Sequence, residues 1–241
     1  MIGEKPQQAM VLAAGYGRRM LPLTLTVPKP LLTVGGRTML DQALDRLSEA
    51  GVRRVVVNCS HLGEQVAALC AARRDMAISL SPEGTPLETG GGVKHALPLL
   101  ADAPFFVVNA DLPWRDKGAP ALARLAAQWR PAMMDMLLLV MPLVRAKGFT
   151  RGDFALLPDG RLRRAGGGAL DHVFIGVTVA KPELYRGVTA AAFSNNLLFD
   201  QAEAAGRLYG CVHAGSCFHV GTPEDLALAN RLLEEGRGWE G

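Results

Sequence analysis

The residues best suited to chemistry stand near the start of the chain, in the segment LAAGYGRRMLPLT from Leu12 to Thr24. Glycines at 15 and 17 follow a short apolar run. Such a turn lets backbone N–H groups approach a phosphate chain without interference from a Cβ. It is not a Walker loop, because no Gly-Lys-Ser/Thr follows, and it is not a dinucleotide fingerprint, because GxGxxG is absent. Two guanidinium groups, Arg18 and Arg19, come directly after it. Lys29 follows between Pro28 and Pro30 on a stiff stretch. Cations beside a glycine turn suit the neutralisation of a polyphosphate. A tight turn carrying surface arginines is the plainer alternative. Further along, Asp111 ends a buried apolar run, PFFVVN, at the place where a strand would open onto a ligand.

Other chemistries find little support. The four cysteines, Cys59, Cys70, Cys211 and Cys217, form no CxxC pair. The histidines form no HxxxH or HxH pair, so a dedicated zinc site is not expected. The net charge is +3, from 26 basic and 23 acidic residues, with no basic block for nucleic acid. No apolar run approaches the roughly 20 residues of a membrane helix. The segment MIGEKPQQ carries no signal-peptide core, so a cytoplasmic, reduced protein is expected.

The elements that must position these residues alternate in period. Ala9–Ala13 and Pro104–Asn109 read as buried strands, Val52–Asn58 as a β-branched strand, Ala77–Leu80 as a short strand and Met134–Leu143 as a strand. Thr38–Ala50 carries apolar residues at 39, 40, 43, 44 and 47, a helical stripe stopped by Gly51. His61–Arg73, Gly91–Leu100 and Ala119–Trp129 also read as helices. After about residue 144 the pattern changes. A hairpin is expected from Asp153 through the turn Pro158-Asp159-Gly160 to Leu162, then a flexible loop from Arg164 to Gly168. Val173–Ala180 reads as a strand, Asn196–Ala205 as a helix, and Leu208–Val212 and Cys217–Val220 as short strands. Thr222 should cap a last helix with Pro223 at its first position. The expectation is an α/β fold with a mostly parallel sheet covered on both faces. Residues 1–8 are expected as a flexible tail and 9–236 as one domain.

The motifs resemble those of the sugar-1-phosphate nucleotidyltransferase family. The likeness rests on LAAGxGxR, PLT and PKPLL, on EGTPLETGGG from Glu83 to Gly92, and on VNAD ending at Asp111. It also includes RGDF at 151–154 and VGTP at 220–223. The PEGxPLETGGG and RGDF forms are most similar to the branch that makes UDP-N-acetylmuramate from UTP and N-acetylmuramate 1-phosphate. The resemblance implies a Rossmann-like, GT-A-like three-layer fold with a small β-rich sugar-binding region. The NTP-binding part would span about 9–113, and the sugar-binding and closing part about 114–236. Mannose- or glucose-1-phosphate transferases using GTP, dTTP or UTP are the alternative within the fold. A nucleotide-sugar-binding protein without catalysis is the alternative of another class.

The resemblance also implies roles. Leu12, Ala13, Ala14, Gly15, Gly17 and Arg18 would surround the nucleotide, with Arg19 on the departing phosphates and Lys29 near the α-phosphate or sugar phosphate. Glu83, Thr89 and Gly90 match the stretch that reads the base. Asn109, Arg151, Gly152, Asp153 and Gly176 would meet the sugar; the family's Glu-Lys-Pro element is missing here, Asp171 is the candidate to replace its glutamate, and the charge of Arg151, Arg163 or Arg164 suits the lactyl carboxylate. Asp111 would bind Mg²⁺. The family's second metal carboxylate usually stands where this chain has His219. His219 is then a metal ligand favouring Mn²⁺ or another ion, a cation on phosphate, a holder of a metal-bound water, or a structural histidine. No nucleic-acid or membrane partner is expected, and the protein should be a monomer or weak homodimer.

Overall fold

The computed structural model describes residues 5–164 and 169–239. Seven strands form the central sheet: β1 (Gln8–Leu12), β2 (Arg54–Cys59), β3 (Ala77–Pro82), β4 (Phe105–Asn109), β5 (Met136–Pro142), β6 (His172–Ala180) and β7 (Leu208–Val212). Their spatial order is β7-β5-β6-β4-β1-β2-β3. Strand β1 pairs in parallel with β2 and β4, β2 with β3, and β5 with β7. Only β6 runs against its neighbours, pairing antiparallel with both β4 and β5. That reversal brings the start of β6 to the edge where β4 and β5 end.

The central strands are apolar on both faces because helices cover both. Alternate residues of β1 serve opposite layers: Ala9 and Val11 join one core cluster and Met10 the other. Helices α1 (Met39–Glu49), α2 (Gly63–Ala72) and α4 (Ala121–Gln128) contribute buried side chains to the first layer. The second layer takes side chains from α3 (Glu88–Ala96), α5 (Pro182–Arg186) and α6 (Asn196–Ala204). A third cluster joins Met20, Met39, Phe218 and Trp239 beside α7 (Pro223–Glu234). Thr222 starts α7 as expected, accepting from the Asp225 N–H, and the Asp225 carboxylate in turn accepts the Thr222 N–H.

Several boundaries differ from expectation. Gln8 belongs to β1 rather than to a loose tail, and it is buried. Its side-chain amide exchanges two hydrogen bonds with Ala101, at 2.9 and 2.8 Å, which removes the cost of burying it. Helix α3 begins at Glu88 rather than Gly91, and its last turn tightens to a 3₁₀ turn over Leu97–Leu99. His61 precedes α2 instead of lying on it, with Nε2 3.2 Å from the Thr24 carbonyl. Near residue 217 only Ser216–Cys217 forms a strand, paired with Trp114–Arg115. The hairpin is present as Ala155–Leu156 against Leu162–Arg163. Of the loop expected at 164–168, only Arg164 is described; 165–168 lie outside the described residues. Among the described residues no helix is long and apolar enough to cross a membrane.

Candidate active site

The strand order reverses between β1 and β4, and a crevice opens at that point beyond their carboxyl ends. There lies a cleft of about 350 Å³ lined by the Leu12–Gly15 turn, Gly17 to Met20, Lys29, Pro30, Thr89, Asn109, Asp111 and Gly221. The turn is held from the neighbouring strand. Asn58, at the end of β2, accepts the N–H groups of Ala13 and Ala14 on Oδ1 at 2.7 and 3.2 Å. Ser60 Oγ accepts the Gly15 N–H at 3.1 Å.

Gly17 turns the chain with φ 58°, and its carbonyl takes the Thr24 hydroxyl at 3.0 Å. A Cβ at Gly17 would stand 2.9 Å from Thr24 Cγ2, so glycine is required by both conformation and space. The 3₁₀ turn Arg18–Met20 then sets both arginines on the cleft wall while Met20 enters the core. Arg18 lies over the Tyr16 ring at 5.2 Å. Among the described residues neither Arg18 nor Arg19 has a carboxylate partner. Positive charge is thus left without a carboxylate partner on the wall of the cleft.

Lys29 starts another 3₁₀ turn, Lys29–Leu31, stiffened by Pro30. Its Nζ lies 2.6 Å from Asp111 Oδ2; the lysine side chain is 11% exposed and the aspartate 37%. The aspartate therefore keeps one face open to the cleft. Asn109 and Asp111 reach this point because β4 ends here, its following Ala110 N–H bonded to the Leu12 carbonyl at 3.1 Å.

The glycine helix behind the cleft is shaped by packing. A Cβ on Gly90 would meet the Phe193 ring at 2.3 Å, and one on Gly91 the Ala191 carbonyl oxygen at 2.3 Å. The Gly90 and Gly91 N–H groups both donate to the Phe193 carbonyl, at 2.8 and 2.9 Å. Thr89 lines the cleft, although its hydroxyl accepts the Asn195 N–H at 2.8 Å. Gly90 and Glu83 do not line it. Glu83 is 6% exposed. Its oxygens accept from Asn58 Nδ2 at 2.6 Å and from the Leu87 N–H at 2.9 Å.

The residues expected to meet a sugar divide into two groups. Asn109 lines the cleft, and Gly176 lies directly against Asn109. Gly176 has φ 79° at an irregularity in β6, where a Cβ would stand 3.1 Å from Asn109 Cβ. Arg151, Gly152, Asp153 and Asp171 lie at the start of β6, on the same edge of the sheet but outside the cleft lining. Asp153 Oδ2 accepts the Phe174 N–H at 3.0 Å. Asp171 pairs with His172 at 2.8 Å, and that imidazole holds its carboxyl below the usual range. Arg164 is turned to Asp200 at 2.7 Å and to the Asn196 carbonyl at 3.0 Å.

His219 stacks on Phe149 with ring centres 5.1 Å apart, its Nδ1 3.3 Å from the Gly148 carbonyl. Its Cε1 lies 3.3 Å from where a Gly221 Cβ would sit, and an Arg19 guanidinium nitrogen lies 3.5 Å from the same point. Histidine and arginine therefore flank Gly221 at the cleft rim. The Asp225 carboxylate, capping α7, fixes that glycine by accepting its N–H at 3.0 Å. Among the described residues no three metal-ligating side chains converge. Sequence reasoning missed Asn58, Ser60 and Gly221; the signal for Asn58 was a polar residue directly after three valines at the mouth of the sheet.

An open, mostly parallel sheet with a cation-lined crevice at its switch point defines an α/β protein built to handle phosphate groups. A match to the MobA-like NTP transferase domain spans residues 9–193, and the chain belongs to that family. It is 39% identical to N-acetylmuramate alpha-1-phosphate uridylyltransferase of Caulobacter vibrioides, over 97% of this chain and all of that one. It is 37% identical to the protein of the same name from Neisseria meningitidis, over 93% and 97%. The UDP-glucose pyrophosphorylase structure from Acinetobacter baumanii shares the fold with a TM-score of 0.77 at 16% identity, covering 93% of this chain and 92% of that one.

Proposed function

We propose that the protein transfers the uridylyl group of UTP to N-acetylmuramate 1-phosphate, giving UDP-N-acetylmuramate and pyrophosphate. The observation that carries this reading is the near full-length likeness to two uridylyltransferases of that name, with Arg19, Lys29 and Asp111 gathered in one cleft. In the reaction a phosphate oxygen of the sugar 1-phosphate attacks the α-phosphorus of UTP. The bond from that phosphorus to the bridging oxygen breaks, and pyrophosphate leaves with the electron pair. Two anions must be brought together, so positioning and charge neutralisation dominate, and no protein nucleophile is needed.

Each residue then has a task. Lys29 neutralises the phosphates as they meet, and Arg19 holds the departing pair. The glycine turn sets their spacing. Asp111 offers the partly open carboxylate that suits Mg²⁺ or Mn²⁺, an ion taking few protein oxygens and completing its shell with phosphates and water. Bound there, the ion would neutralise charge on the phosphate oxygens. His219 stands on the phosphate side, beside Arg19. The segment Arg151 to Asp153, with Asp171, faces the sugar, and Arg151 meets the lactyl carboxylate. Such a product returns a cell-wall amino sugar to its nucleotide form, a task for the cytoplasm.

The test is pyrophosphate release from four NTPs against a panel of sugar 1-phosphates, with Mg²⁺ and Mn²⁺ in parallel. Turnover centred on UTP with N-acetylmuramate 1-phosphate is expected. Preference for mannose or glucose 1-phosphate would overturn the substrate, and nucleotide binding without turnover would overturn the activity.

A further inference from the structure

Asn58 and Glu83 form a buried pair directly behind the nucleotide turn, 2% and 6% exposed. The bonds around them leave one arrangement. A carboxylate only accepts, and both Glu83 oxygens are engaged, one by Asn58 Nδ2 and one by the Leu87 N–H. Asn58 must therefore present its NH₂ to Glu83 and its carbonyl to the turn, where that oxygen gathers the Ala13 and Ala14 N–H groups. Helix α3 walls the pair in. A Cβ on Gly92 would stand 2.7 Å from Asn58 Nδ2 and 2.8 Å from Glu83 Oε1.

We propose that Asn58 is a positioning residue for the nucleotide turn, and that Glu83 acts through Asn58 by fixing its amide rather than by reading the base. This rests on the nucleotidyl-transfer reading above. The turn determines where Gly17, Arg18 and Arg19 stand, so a misdirected amide displaces the phosphate-binding cations whatever base the nucleotide carries.

The pair can be tested by exchanging its chemistry. In E83Q the introduced NH₂ must face either the Asn58 NH₂ or the Leu87 N–H, so one donor meets another. In N58D two carboxylates face each other. The double variant N58D/E83Q restores every bond. The carboxylate at position 58 accepts from the turn and from the amide NH₂ at position 83, whose carbonyl oxygen accepts from the Leu87 N–H. Its total charge equals that of the native pair.

Direct binding of UTP and CTP by calorimetry needs no acceptor sugar. Each single variant should weaken both nucleotides by the same factor, roughly tenfold, the scale of a buried group left unpaired. The KM for sugar 1-phosphate should stay put. The double variant should recover to within about threefold of the native affinity, a gap of well under 1 kcal/mol. A changed UTP-to-CTP ratio that persists in the double variant would show that Glu83 reads the base, and would overturn the proposal. Lower melting temperatures with unchanged nucleotide affinity would leave the pair a purely structural role, and would overturn it equally. Should a single variant fail to fold, the double variant against the native protein still decides, because it must bind like the native one at an unchanged ratio. A native protein that binds no NTP overturns the nucleotide reading and this one together; native binding without rescue overturns this one alone.

Discussion

Gly152 has a role that substitution by alanine would expose. A Cβ at 152 would lie 1.9 Å from the Leu170 carbonyl oxygen and 2.4 Å from its carbon. Ordinary contact needs more than an ångström of extra separation, and neither chain can supply it cheaply. The Asp171 carbonyl takes the Leu143 N–H at 2.7 Å, and the Asp153 N–H donates to the His172 carbonyl at 2.8 Å. Over-packing costs about 1–3 kcal/mol, and a clash against anchored backbone belongs at the upper end. For a domain of this size, about 3 kcal/mol corresponds to a fall in Tm of roughly 6–12 °C. Thermal unfolding followed by circular dichroism measures it, with the KM for sugar 1-phosphate determined on the same preparation well below Tm. A Tm within about 2 °C of the native value would refute the packing argument. If sugar affinity fell in that case, Gly152 would be serving the substrate through its backbone instead.

Other outcomes follow from the same geometry. K29M should lower kcat for pyrophosphate release by roughly 10²–10³, the cost of losing one preorganised charge at the reacting phosphates; a loss under about fivefold would remove Lys29 from the chemistry. The Tyr185 hydroxyl is buried with no hydrogen-bond partner among the described residues, and burial pushes its pKa well up. Y185F should therefore raise Tm by roughly 2–4 °C, about 1 kcal/mol, and a lower Tm would mean that the hydroxyl is satisfied. Burial also pushes the His213 imidazole below its ordinary 6.5, against a smaller opposing pull from Asp116. The unfolded chain then binds a proton that the folded one refuses, so stability should fall as pH drops below about 6.5 and be insensitive to this group above it. Melting curves from about pH 5.5 to 7.5 should show a shallower decline for H213N, and parallel curves would refute the assignment.

The strands were legible because each is a short apolar run, often β-branched, closed by a turn signal: Arg54–Cys59 and Met136–Pro142 needed no tertiary knowledge. Strand direction was not legible. An apolar run such as His172–Ala180 carries no mark of running against its neighbours, since that depends on which edge is open when it arrives. The start of α3 was misplaced because Glu88 adopts φ 61° and the first helical N–H groups are satisfied by Phe193, about a hundred residues away. Five-residue α5 was missed, being too short to show a period. In the site, Arg19, Lys29 and Asp111 stood out because charges beside glycine or proline, or ending an apolar strand, are hard to explain as surface. Asn58 did not, since a polar residue after valines reads equally as a strand's end. Glu83 looked like a ligand contact because sequence shows a carboxylate near the site but not which way it faces.

The place of β6 between β4 and β5 also constrains the order of assembly during synthesis. When β5 has left the ribosome, β4 still lacks the partner for its outer edge, and β5 has nothing to join it to the first half. Both wait about thirty residues for β6, and α3 waits longer for Phe193 to cap it. The two halves are therefore not modules made one after the other. The first half, released early by truncation, would carry an open strand edge and an unfinished helix, the features that favour aggregation over folding.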